Sequence, residues 1–162
     1  MSNQQLKTTP ATEELEAKGI PYQLFVHKEP IRSFEQAALE RNQSTDQIVR
    51  SILFRLPKEE YVMVLASGTN QISWSALRKH LNTSQITMAD KEQVLEQTGF
   101  RIGSVTPFGL KKPIRIIIDE AIHNQNEVSM GSGVIGSAII INKDDLLKAL
   151  GSYEMGCFIS CT

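Results

Sequence analysis

Gly103-Ser104-Val105-Thr106-Pro107-Phe108-Gly109 is a loop with a glycine at each end, a proline inside, and neither a metal ligand nor an acidic pair. Such a loop shapes backbone around something. Glycine reaches backbone angles closed to other residues and lets a ligand approach the main chain, while Pro107 fixes one dihedral and turns Thr106 toward an extended conformation. Met88-Ala89-Asp90 precedes the loop, and a second glycine-rich stretch, Gly131-Ser132-Gly133-Val134-Ile135-Gly136, follows it.

Working outward, Asp90-Lys91-Glu92-Gln93 opens a helix that Gly99 can terminate, with a brief strand at Gln85 to Met88 and a helix at Trp74 to Leu81 before it. Ile114 to Ile118 reads as a continuous buried strand. Glu127 to Met130 and Ser137 to Ile141 read as strands joined across the second glycine loop, after which Asn142 caps a helix from Lys143 to Leu150 that Gly151 ends. Toward the N-terminus, residues 12 to 18 suggest a short helix stopped at Gly19-Ile20-Pro21, and Tyr22 to His27 a strand. Ser33-Phe34-Glu35-Gln36 has capping-box form ahead of Ala37-Ala38-Leu39. Ser44-Thr45-Asp46-Gln47 reads as a turn feeding the alternating, β-branched strand Ile48 to Leu56, with Tyr61 to Ser67 as its neighbour.

Strands outweigh crossover helices in this order. The expected class is α+β: a mixed, largely antiparallel sheet curled on itself, or a partly closed barrel, with helices outside, and not a doubly wound parallel sheet. The chain has 162 residues, 18.1 kDa and 41% hydrophobic residues, which fits a single domain over 1–162, with its core at about 12–150 and a C-terminal tail at 151–162. Phe158 and Ile159 give that tail a means of docking.

A net charge of −1 and a pI near 6.3 supply no global footprint for a polyanion, so any nucleic-acid contact has to be local. Lys111, Lys112 and Arg115 after the first glycine loop, with Arg101 before it, form the one local basic cluster close to the two glycine loops. The apolar runs Val62 to Ala66 and Ala138 to Ile141 are far shorter than the ~20 residues that span a bilayer, and no signal-peptide core is present, so a cytoplasmic protein without membrane contact is expected. Cys157 and Cys161 lack nearby histidines and are expected to be reduced thiols; neither a metal site nor a cofactor motif is read. The second glycine stretch is not a dinucleotide fingerprint, because its spacing is wrong and a β-branched run follows where that motif needs a helix.

Along 48 to 56 the side chains alternate, which puts Arg50 on one face with Ile48, Ile52, Phe54 and Leu56. A guanidinium among apolar neighbours needs an acid, such as Asp90 or Asp119, or a ligand cavity. Gly131-Ser132-Gly133-Val134-Ile135-Gly136, taken alone, also reads as a plain hairpin loop.

Together, the strand Val49-Arg50-Ser51-Ile52-Leu53-Phe54, Met88-Ala89-Asp90, the glycine-x-x-x-proline loop 103–109 and the segment Gly131 to Leu146 resemble the YbaK/prolyl-tRNA synthetase-associated editing domains, over about residues 12 to 150. The resemblance implies a stand-alone, metal-independent deacylase that hydrolyses the ester of mischarged tRNA. Its partners would be the aminoacyl-tRNA acceptor end and a synthetase. Arg50 stands where the family usually carries a lysine, its residue most tied to activity; Arg keeps the charge but not the ability to lose a proton. No Ser-His-Asp type triad is implied, so a water, a ribose hydroxyl or the substrate's own side chain would attack, with backbone N–H groups of Gly103, Ser104, Val105, Thr106, Gly131, Ser132 and Gly133 as donors and Pro107 shaping the wall.

His27 matches a position near the family's pocket, and Ser51 a small hydroxyl residue that faces away from Arg50. Gly131 takes the place of a family serine and Val134-Ile135 replace a basic pair, leaving Lys111, Lys112 and Arg101 as candidate tRNA contacts. The substituted lysine keeps a second reading in view, a non-catalytic module that binds an aminoacyl-tRNA, an aminoacyl-nucleotide, a free amino acid or a synthetase. A third is hydrolysis of another small acyl ester.

Overall fold

The structure, a computed structural model, describes residues 6–159. Each helix starts where a side chain is placed to accept its first free N–H groups. Thr9 caps α1 (Pro10–Ala17) in a reciprocal exchange with Thr12, and Ser33 caps α2 (Phe34–Glu40). Ser73 caps α3 (Trp74–Leu81), Asp90 and Gln93 form a full capping box on α4 (Lys91–Thr98), and Asn142 caps α5 (Lys143–Leu150). Helix α1 begins two residues earlier than expected because Pro10 suits the first helical turn. Only half of the box expected at Ser33 forms: Ser33 accepts from Gln36 N–H, but the Gln36 carboxamide turns back to the N–H of Arg32 at 2.6 Å.

The strands are β1 (Gln23–Val26), β2 (Val49–Arg55), β3 (Tyr61–Ser67), β4 (Thr87–Met88), β5 (Arg115–Asp119), β6 (Glu127–Gly131), β7 (Ser137–Asn142) and β8 (Glu154–Gly156). They form two sheets, β1-β7-β6 and β4-β2-β3-β5-β8. The first sheet is antiparallel throughout; the second is antiparallel over β4-β2-β3 and parallel over β3-β5-β8. The mixed, largely antiparallel α+β class holds, while the single curled sheet and the partly closed barrel give way to two open sheets. An isolated parallel bridge, Ile48 to Ser129, links them, and β1, β4 and β8 remain edges.

Alternation on β2 divides the interior. Val49 and Leu53 face Val128, Met130, Ile139 and Ile141 of the other sheet, together with Leu15 of α1 and Leu146 of α5. Phe54 faces the opposite way, into Val62, Val64, Ile117 and the α3 residues Leu77 and Leu81. Burying a phenylalanine completely, as at Phe54, stabilises by roughly 1.5–3 kcal/mol.

The tail docks through a strand that the sequence reading did not anticipate. β8 adds to the edge of β5 in parallel, and fully buried Asp119 accepts from the N–H groups of Phe158 at 2.6 Å and Ile159 at 3.0 Å through Oδ1, and from Ala121 at 2.9 Å through Oδ2. Cys157 is disulfide-bonded, which corrects the expectation of a reduced thiol there; compartment arguments give a prior on thiol state and no constraint on geometry. Cys161 lies outside the described residues. Among them, no helix is long and apolar enough to cross a membrane.

Candidate active site

The two glycine loops, far apart in sequence, are built against each other. Gly133 N–H donates to the Ser104 carbonyl at 2.8 Å. A Cβ on Gly131 would sit 2.3 Å from the Val105 carbonyl oxygen and 2.8 Å from that of Ser104, so only glycine lets the two main chains approach this closely. Gly133 has φ +95° and packs against Pro10 and Phe100. Helix α1 braces the pair from behind, with Ala11 N–H on the Ser132 carbonyl at 3.2 Å and Glu14 accepting from Gly109 N–H at 2.7 Å.

The hydroxyl groups of these loops serve the loops themselves. Ser104 donates to the Arg101 carbonyl through both N–H and Oγ, at 3.0 and 2.8 Å. Ser132 Oγ shares a hydrogen bond with Ser137 Oγ and accepts from Val134 N–H at 3.1 Å, while Thr106 Oγ1, fully buried, accepts from Phe108 N–H at 3.4 Å. The N–H groups of Ser104 and Gly133, expected as donors to a ligand, are therefore engaged internally. Those of Gly103, Val105, Thr106 and Ser132 make no hydrogen bond among the described residues.

Arg50 lies on β2 opposite Ala66, two residues past the Ile48 to Ser129 bridge; Gly131 lies two residues past the same bridge on β6. The parallel sense of that bridge carries both toward the same end. Arg50 is half-buried and its Nη2 donates to the Asn70 carbonyl, but its Nε is buried without a hydrogen-bond partner, as is the neighbouring Ser51 Oγ. Neither expected acid reaches it: Asp90 caps α4 and Asp119 holds the tail, and among the described residues no carboxylate lies within ion-pair distance. Burial without a counter-charge pushes the Arg50 pKa down from its ordinary value.

His27 is placed at the end of β1 by its N–H bond to the Gly136 carbonyl at 2.9 Å, and its ring is fully buried. Nδ1 meets Glu40 Oε1 at 2.7 Å and Nε2 meets Arg41 Nε at 3.1 Å, so both ring nitrogens are occupied. Arg41 goes on to donate from Nη1 to buried Ser129 Oγ at 3.0 Å. Burial lowers the Arg41 pKa to about 10, and hydrogen bonds from His27 and Gln36 lower that of Glu40.

Lys111, Lys112 and Arg101 are exposed beside the first loop. Arg115 leaves the expected basic cluster, because its guanidinium forms a two-pronged pair with Glu154 of β8. A crevice of about 370 Å³ lies behind the loop, lined by Pro107, Phe108, Lys112, Glu14, Lys18 and Leu150 among others; Arg50, His27 and the second glycine loop do not line it.

Residues 28–149 match the family described as "Aminoacyl-tRNA editing domain". The chain belongs to that family. This editing domain is 32% identical over 120 residues to the proline–tRNA ligase of Brachyspira hyodysenteriae, covering 74% of this chain and 19% of the ligase. It is 36% identical over 89 residues to that of Kosmotoga olearia, covering 55% and 15%. It thus spans a fifth or less of the length of these curated relatives. An uncharacterized protein of Bacillus subtilis, YwhH, is 30% identical over 112 residues, 69% of this chain and 71% of that one. In fold, the editing domain matches a solved structure offered as a candidate trans-editing enzyme for prolyl tRNA synthetase, with a TM-score of 0.84, 24% identity and coverage of 95% and 99%.

Sequence reasoning missed Glu40, Arg41 and Ser129 in this editing domain. Arg41 and Ser129 are 88 positions apart, and an arginine after a short helix resembles any solvated charge. The one available clue was His27, a polar side chain ending an apolar strand, which called for a buried partner.

Proposed function

We propose that this editing domain is a deacylase that removes a wrong amino acid from the 3′ end of tRNA, acting on its own, without a metal ion, with Arg50 as the electrostatic anchor. The observation that carries the reading is the Arg50 side chain: a half-buried guanidinium with no acid beside it and a buried Nε that nothing in the described fold satisfies. Leaving a buried donor unpaired costs about 1–3 kcal/mol, which a ligand oxygen at that position would recover. The ester carbonyl or the terminal ribose-phosphate supplies such an oxygen.

Ester hydrolysis develops negative charge on the carbonyl oxygen as water or a ribose hydroxyl adds to the carbon. The unoccupied N–H group of half-buried Val105, on a loop locked to its neighbour at Gly133 and Ser104, is suited to receive it; one well-placed donor of this kind is worth about 3 kcal/mol. Gly103, Thr106, Pro107 and Gly131 form the wall, and Lys111, Lys112 and Arg101 meet the phosphates of the acceptor end. No side chain in this arrangement is a general base, which assigns proton removal to the substrate or to water. This reading puts the chain in the cytoplasm, with its substrate.

Arg50 also favours a second reading, in which the domain binds an aminoacyl-tRNA or a synthetase without turnover, because a guanidinium stays protonated where a lysine can give up its proton. Deacylation of a panel of mischarged tRNAs, beginning with tRNA for proline because the relatives are proline–tRNA ligases, separates the two. The assay compares the protein with Arg50→Lys and Arg50→Ala, with a chelator present. Turnover that disappears in Arg50→Ala supports the deacylase. An inert natural protein whose Arg50→Lys variant gains turnover establishes the binding module instead.

A further inference from the structure

Arg41 is built into the fold in a way that the deacylase chemistry does not use. Its Nε donates to His27 Nε2 at 3.1 Å and its Nη1 to Ser129 Oγ at 3.0 Å. A guanidinium has donors only, so His27 Nε2 has to be the acceptor and the ring proton sits on Nδ1, donated to Glu40 Oε1 at 2.7 Å. Ser129 is the residue of β6 that bridges Ile48, immediately before β2, a contact joining the two sheets. From that joint one strand runs two residues to Arg50 and the other two residues to Gly131.

We propose that Arg41 is a positioning residue, seated on neutral His27, that holds the joint from which the chain runs on to Arg50 and to Gly131, and that the joint loosens when His27 gains a second proton. The groups facing the imidazole are Glu40 at the end of α2, Arg41 directly after it and the Phe25 ring from β1, with Ser129 of β6 reached through Arg41. A doubly protonated ring keeps its bond to Glu40 and presents a second N–H to the Arg41 N–H, so donor meets donor and cation meets cation. Arg41 then leaves, and with it the support of Ser129. This rests on the deacylase reading only for its effect on turnover; the joint itself is open to direct observation.

The test uses the intact chain and the variants Arg41→Met, Arg41→Lys and His27→Gln. Imidazole ¹⁵N–¹H correlation spectra should show His27 as the Nδ1–H tautomer at about pH 8. Hydrogen exchange of residues 34–40 and 127–131 should accelerate when acidification adds the second proton to His27, beyond the intrinsic pH effect. Arg41→Met should show the fast exchange at every pH, and Arg41→Lys should recover part of the protection. His27→Gln, whose carboxamide can accept from Arg41 and donate to Glu40, should keep the protection and lose its acid dependence.

In deacylation, Arg41→Met should lower kcat by at least about tenfold with KM little changed, since misplacement by an ångström costs up to ~10²-fold. An Nε2–H tautomer at His27, or wild-type exchange of 127–131 in Arg41→Met, overturns the proposal. A wild-type protein inert on every charged tRNA fails the deacylase reading, while the tautomer and exchange results still decide the joint.

Discussion

Gly133 N–H and the Ser104 carbonyl, 2.8 Å apart, tie the two glycine loops into one unit, and the close pass of Gly131 beneath Val105 completes it. The loops therefore cannot adjust independently to a change in either.

Gly131→Ala tests that rigidity. The new methyl group would fall 2.3 Å from the Val105 oxygen, and the obstruction is backbone, which no rotamer change relieves. We expect a loss of about 1–3 kcal/mol in denaturant midpoint analysis, the usual cost of an overpacked site. Because Val105 must move, deacylation should fall further than stability. Gly103→Ala is the contrast: a Cβ there meets nothing within 4 Å, so its cost comes from φ +100° alone, about 1 kcal/mol.

Phosphate contacts are read from salt dependence. If Lys111 and Lys112 meet the acceptor end, replacing both with alanine should reduce the slope of log affinity against log salt by about 1.4 to 1.8, roughly 0.7–0.9 for each neutralised phosphate. Arg115→Ala should leave the slope unchanged, because Glu154 already engages that guanidinium. Equal slopes for the double variant and the natural protein would remove the lysines from the interface.

Local features were the legible part of this fold. Caps at Asp90 and Asn142 and stops at Gly99 and Gly151 are set by a few neighbouring residues, and α3, α4 and α5 form where the sequence places them. That the strands divide into two sheets joined by a bridge between Ile48 and Ser129 is settled by tertiary pairing, which no local pattern encodes. The same limit applies to the site. Glycine spacing pointed to both loops and alternation to Arg50, but Arg41 and Ser129 meet only through tertiary packing. Arg115 was misread for the converse reason: its partner lies 39 residues on, in a three-residue strand too short to announce itself.

Asp119 should be the residue on which the C-terminal segment depends. Its buried carboxylate accepts from Ala121, Phe158 and Ile159, so Asp119→Ala leaves three N–H groups without that acceptor. The expected cost is on the order of 3 kcal/mol, with early protease cleavage after residue 150. Asp119→Asn keeps one acceptor oxygen and turns an amide N–H₂ toward a donor, so it should lose less than alanine and still more than a surface change. An unchanged melting temperature in Asp119→Ala would mean that β8 holds the tail without it.

Acid should release the same segment by a different route. Hydrogen bonding from Arg115, with His80 beside it, holds the Glu154 carboxyl at about 2, below its ordinary 4.5. A carboxylate with a depressed pKa stabilises the fold fully above its unfolded value, and that contribution disappears as pH falls from about 4.5 toward about 2. Amide exchange of residues 154–156 should rise across that window in the natural protein. In Glu154→Gln the exchange should be faster at neutral pH and flat through the acid range, because the variant has lost the group that titrates. Acid-induced release that persists unchanged in Glu154→Gln would place the responsible carboxylate elsewhere.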